Sequence, residues 1–151
     1  MHAMNSLRIE KAYRHWGHDI SDEDTPIEAG LGFAVAWEKP GGFVGREALL
    51  KQRDARKTKR LIQFRGEDPE LVTYHDDPVF RDDTYVGRTT GGMWSHVENR
   101  CLTMAYLNNS EGVTQDWLDH GTWEIEIGTR RRTATPSIRS FYDPRNQRVR
   151  M

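Results

Sequence analysis

Several things are scarce in this sequence, and each shortage narrows what the chain can be. Cysteine occurs once in 151 residues, as Cys101. An internal disulfide is therefore impossible, and a lone thiol in an apolar run reads as a small buried hydrophobe rather than a nucleophile. Net charge is almost nil, -1 from 22 basic and 23 acidic residues, so no global field recruits nucleic acid or an anionic membrane. No apolar run approaches the ~20 residues that span a bilayer. Met1-His2-Ala3-Met4-Asn5 lacks the basic-then-apolar order of a secretory signal, so a reducing compartment of the cytoplasmic or mitochondrial-matrix kind is expected. The pairs Gly41-Gly42 and Gly91-Gly92 have neither the spacing nor the following helix of a dinucleotide-phosphate loop. Hydrophobic residues make up 36% against 30% charged, which is lean for a self-sufficient core.

What is present compensates in part. Five Trp, five Tyr and five Phe can each bury roughly 150–250 Å². Leu7, Ile9, Ala12, Tyr13 and Trp16 give an irregular helical spacing, with Leu7 opening a core helix that Gly17 ends. Ala29 to Trp37, with Phe33, Val35 and Trp37 on alternate positions, predicts a buried strand. Gly45 opens a short helix, Arg46 to about Asp54, with Ala48, Leu49 and Leu50 facing inward. From about Lys57 the character changes to short strands at barrel or sandwich spacing. These are Leu61 to Phe64, a Pro78-to-Val86 hairpin turning at Asp82-Asp83, Thr89 to Gly92, Cys101 to Leu107, Thr122 to Ile127, and Arg130 to Thr135. The expected class is α+β, mostly β. Residues 1–57 read as an incomplete α/β piece whose other strands lie elsewhere, and 58–151 as a small antiparallel β-barrel.

Three constellations bear on chemistry. His15-x-x-His18-Asp19 has the look of a metal site, but Gly17 interrupts the helix and no second ligand cluster follows; polar groups holding a loop are the expectation, and no metal is assigned. Arg53, Arg56, Lys57, Lys59 and Arg60, with Arg130-Arg131-Arg132, are balanced by acidic segments, so a solvated face or a dock for an anionic ligand tail is expected rather than nucleic acid. Glu28 follows Thr25-Pro26 and directly precedes the apolar run. A carboxylate at the rim of a buried sheet needs donors. Two readings answer that need: an internal ion pair with an arginine, or a heterocycle offering N–H and NH2 side by side, as a pterin does.

The string Ser6-Leu7-Arg8-Ile9-Glu10-Lys11-x-Tyr13-Arg14-x-Trp16-Gly17-His18-Asp19-Ile20, then Asp24-Thr25-Pro26-Ile27-Glu28-Ala29-Gly30-Leu31-Gly32-Phe33, resembles the aminomethyltransferase (glycine-cleavage T-protein) family. The resemblance is to its C-terminal part, on the side of the folate-binding regions of dimethylglycine and sarcosine dehydrogenases and oxidases. Phe43-x-Gly45-Arg46-Glu47-Ala48-Leu49, Pro78-Val79, Val86-Gly87, Thr89-Thr90-Gly91-Gly92 and Met104-Ala105-Tyr106 continue it in order. The resemblance implies a terminal β-barrel and a tetrahydrofolate channel between parts of the fold. Glu28 would hold the pterin, Arg56 would contribute to the folate site, and Tyr13 and Trp16 would line the channel. The family's catalytic aspartate belongs to an upstream region with no match here, so no catalytic residue is assigned. FAD is expected only in a separate upstream domain. Implied partners are folate, a small N-methyl amine and the upstream folate-binding and flavin domains, with neither nucleic acid nor membrane. The alternatives are a non-catalytic docking subunit or fragment completing an upstream partner, and a family member demethylating a different donor.

Overall fold

The computed structural model describes residues 2–150. Its strands are β1 (Lys59–Gly66), β2 (Pro78–Arg81), β3 (Thr84–Ser95), β4 (Arg100–Asn108), β5 (Trp123–Ile127) and β6 (Arg130–Ser137). All neighbours are antiparallel in the order β1-β4-β3-β2-β5-β6, and β6 pairs back onto β1 to close a barrel. The α-helices are α1 (His2–Glu10), α2 (Arg46–Asp54) and α3 (Gln115–Asp119). The mostly-β reading of the sequence is what forms.

Alternation along the strands builds two cores on either side of one sheet. Inside the barrel, Ile62 and Phe64 of β1 meet Ala105 and Leu107 of β4, Val79, Trp123 and Ile125. The Phe64 and Trp123 rings stand edge to face, 5.7 Å apart, and Trp117 of α3 packs on Trp123 at 4.9 Å. On the outside, Leu61 of β1 and Leu102 and Met104 of β4 are covered by Ile9 and Ala12. β1 and β4 are thus buried on both faces, which explains their near-continuous apolar runs. Polar pins fix α1 there. Ser6 Oγ donates to Trp94 O at 2.7 Å, and the buried Glu10 carboxylate accepts from Ser95 Oγ at 2.8 Å and Val97 N at 3.2 Å. Asp82 and Asp83 turn β2 into β3 with left-handed φ of 47° and 62°, as a two-residue hairpin requires.

Four expectations are corrected. The first helix ends at Glu10, not at Gly17. Leu7 is 65% exposed; Ile9 is the residue that reaches the core. Ala29 to Trp37 is no strand: it is a turn followed by a single 3-10 turn, Gly32–Ala34, closed by local bonds from Leu31 N to Pro26 O and Ala34 N to Leu31 O. A strand needs a neighbour, and the closed barrel offers it no edge. α2 forms as expected but buries none of its residues, Ala48 included. None of the described helices is long and apolar enough to cross a membrane.

Candidate functional site

Glu28 sits in a tight turn rather than at a strand edge, and the turn builds its own cap. Glu28 N donates to Thr25 Oγ1 at 3.2 Å, while Thr25 N donates to Glu28 Oε2 at 3.0 Å. This reciprocal pair is the capping-box arrangement that a Thr and a Glu three residues apart can make. Glu28 O also accepts from Leu61 N at 2.8 Å, which anchors the turn to the start of β1. Its cation is a lysine, not the arginine that was one of the two expectations: Lys59 Nζ stands 3.9 Å from Glu28 Oε2 and 2.9 Å from Asp24 Oδ1. Glu28 Oε1 makes no hydrogen bond among the described residues and keeps its acceptor capacity for another donor.

Lys59 Nζ also lies 4.6 Å from the centroid of the Tyr106 ring. Tyr106 comes from β4, opposite Leu61 in the register, so β1 and β4 deliver both groups to the same rim. The Tyr106 hydroxyl is buried and makes no well-aligned hydrogen bond, though it lies within reach of the Asp24 carboxylate. Burial, then the negative charge of Asp24 and the polar interaction of the hydroxyl with that carboxylate, push its pKa well above the ordinary tyrosine range. Burial alone would raise the Asp24 carboxyl, but the hydrogen bond from Lys59, the Ser21 N–H and the lysine charge together hold it below the usual carboxylate range. Asp24, Lys59 and Tyr106 line a cavity of about 330 Å³ that also reaches His18, Asp19 and His75.

The other residues singled out by sequence lie apart from this cluster. Arg56 is an exposed side chain paired with Glu111 at 2.8 Å, beside a hollow formed with Lys57, Arg60 and Val113. Tyr13, 53% exposed, lines a different hollow with Arg14, Leu31 and Phe33. Trp16 is 67% exposed and bridges to Ile20. No hydrogen bond or ion pair among the described residues joins these three to Glu28. Lys59 and Tyr106 escaped the sequence reading as site residues; Lys59 was visible only as part of a basic run, and Tyr106 as part of Met104-Ala105-Tyr106. Strand alternation, once β1 and β4 are paired, is the signal that finds them. Asp19 proves to be a buried loop pin, paired with Arg8 and accepting from His15 N at 2.8 Å and Thr90 Oγ1 at 2.5 Å. Among the described residues, no group of three or more His, Cys, Asp or Glu side chains is arranged to hold a metal ion.

Comparison with known proteins agrees with this architecture. Residues 1–39 match the family described as GCVT N-terminal domain, and residues 59–143 match the glycine cleavage T-protein C-terminal barrel domain. The chain is 39% identical over 149 residues to the 4-methylaminobutanoate oxidase (formaldehyde-forming) of Paenarthrobacter nicotinovorans, covering 99% of this chain and 17% of that protein. It is 33% identical over 150 residues to human mitochondrial sarcosine dehydrogenase, covering 98% and 16%. The chain therefore spans about a sixth of the length of either relative. In structure, it superposes with a TM-score of 0.77 on the glycine cleavage system aminomethyltransferase T of Bartonella henselae, at 20% identity over 94% of this chain and 38% of that one.

Proposed function

Since the chain belongs to the glycine cleavage T-protein (aminomethyltransferase) family and matches its C-terminal barrel domain, we propose that it forms one wall of a tetrahydrofolate site in a one-carbon transfer module. The observation that carries this reading is the state of Glu28. Its carboxylate is locked by its own capping box and charge-balanced by Lys59, yet leaves Oε1 without a donor. A pterin edge supplies N–H groups of the kind such an oxygen accepts.

Bound tetrahydrofolate supplies the nitrogen that accepts the one-carbon unit. The chain's own part is binding and orientation: Glu28 takes the pterin edge, and Lys59 holds Glu28 and Asp24 in place. Transfer of this kind depends chiefly on holding two reactants in the right geometry. Arg56, Tyr13 and Trp16 belong in this reading to surfaces that meet the rest of the folate site. The donor is a small N-methyl amine, oxidised at a flavin in a separate domain. Titration of the chain with tetrahydrofolate, followed by calorimetry, should give saturable binding. Glu28→Gln should weaken it by roughly 10- to 100-fold, the value of one charge-assisted hydrogen bond pair. Unchanged affinity in that variant would remove Glu28 from the site.

A second reading is favoured by the exposed apolar side chains of the first 45 residues, where Phe33 is 86% and Val44 fully exposed. In it the chain is a docking module whose folate wall is completed by a partner surface. The same titration separates the two, because a docking module alone shows no saturable uptake.

A further inference from the structure

The histidines that suggested a metal site at first sight have a different neighbourhood. His18 Nδ1 and His75 Nε2 lie 3.1 Å apart, and the His15 and His18 rings stack at 4.3 Å between centroids. His75 arrives on the loop between β1 and β2, which lies close against β3. A Cβ on Gly92 would collide with the Thr73 side chain of that loop. The His18–His75 pair stands between the cavity lined by Asp24, Lys59 and Tyr106 and a second one, of about 440 Å³, framed by α1, residues 71–75 and β3.

That second cavity has an unusual lining. Four of the chain's six histidines border it, His2, His15, His18 and His75, together with Arg8. Among the described residues no aspartate or glutamate does. Its floor is apolar, made by Leu71, Met93, Trp94 and Cys101. We propose that this cavity is a second binding site, for a small anion with an aromatic or branched apolar body, of the aryl-carboxylate class. The carboxylate lies on the imidazoles of His15, His18 and His75, and the ring lies on Met93 and Trp94.

The charge balance decides the pH behaviour. Arg8 is paired with the buried Asp19, so it adds little net positive charge. Across the His18–His75 pair, Asp24 is paired with Lys59 at 2.9 Å and Asp76 with Arg88 at 3.4 Å, while Glu23, on the far cavity, is exposed. The remaining ionisable neighbours of the two cavities are the phenols of Tyr74, Tyr85 and Tyr106 and the Cys101 thiol. Positive charge at the site is therefore supplied by its imidazoles, the side-chain type that gains charge as pH falls. Affinity for the anion rises as pH falls, because ligand and protons bind the same side chains cooperatively.

The test uses phenylacetate as probe, with its neutral amide and inorganic phosphate as comparison ligands, on the full chain without folate. Phenylacetate should bind roughly tenfold more tightly at pH 6 than at pH 8. In the unsubstituted chain it should move the ring resonances of His15, His18 and His75 but not those of His96 and His120. His75→Gln should weaken binding at pH 6 and flatten the pH dependence, and His15→Gln serves if that variant fails to fold. Binding independent of pH, or resonance changes confined to other histidines, overturns the site. Equal binding of the amide overturns the anion half of the assignment, and equal binding of phosphate the apolar half. Because no folate is present, the outcome is independent of whether Glu28 holds a pterin.

Discussion

Tyr106 carries a hydroxyl that the fold has dried without a well-aligned partner, its polar neighbour being the Asp24 carboxylate, and a buried polar group left poorly satisfied costs about 1–3 kcal/mol. Tyr106→Phe should therefore be neutral or stabilising by up to about 1 kcal/mol at neutral pH. The two proteins should separate in alkali. With its folded pKa raised, the phenol keeps its proton in the native state when the unfolded chain has lost it. That stabilisation is complete below the ordinary tyrosine value and fades above about pH 10. Urea midpoints measured from about pH 8 to 11 should fall more steeply for the parent than for Tyr106→Phe; parallel curves would mean that the phenol ionises as readily folded as unfolded. Of this rim, only Glu28 was legible in the sequence, through Thr25-Pro26-x-Glu28. Lys59 and Tyr106 join it through strand register, a relation that spacing along the chain does not carry.

At the scale of elements, α1 shows how much one side chain decides. Ile9 is completely buried between α1 and the outer face of β1 and β4, whereas Leu7 on the same helix is 65% exposed. Ile9→Ala should cost about 2–5 kcal/mol in urea unfolding, and Leu7→Ala no more than about 0.5 kcal/mol. Equal effects would show that the helix packs on another face. The sequence pattern alone favoured Leu7, since both residues fit a helical stripe and only the partner sheet chooses between them. The barrel strands were legible because alternation and turn residues are local: Asp82-Asp83 marks its turn unaided. The strand expected at Ala29 to Trp37 failed for the opposite reason. Its alternating Phe33, Val35 and Trp37 ask for a sheet edge, and that request can be answered only by distant chain. Trp37 instead donates its indole N–H to Gly32 O at 3.0 Å and folds the segment back on itself.

For the molecule as a whole, protection should be graded outward from the doubly covered strands. Amide hydrogen exchange should be slowest in β1 and β4, intermediate in β2, β5 and β6, and fastest across 32–57, where α2 buries nothing. Slow exchange in α2 of the isolated chain would mean that something covers it, as in self-association through the exposed Phe33 and Val44. The form of any such association is set by the closure of β6 onto β1. A ring of strands has no terminal row of free N–H and C=O groups on which another chain can extend the sheet. Contacts made through the barrel are therefore side chain against side chain, with a fixed number of places. They saturate and reverse on dilution, where an open sheet of the same composition would keep adding strands and grow into fibres.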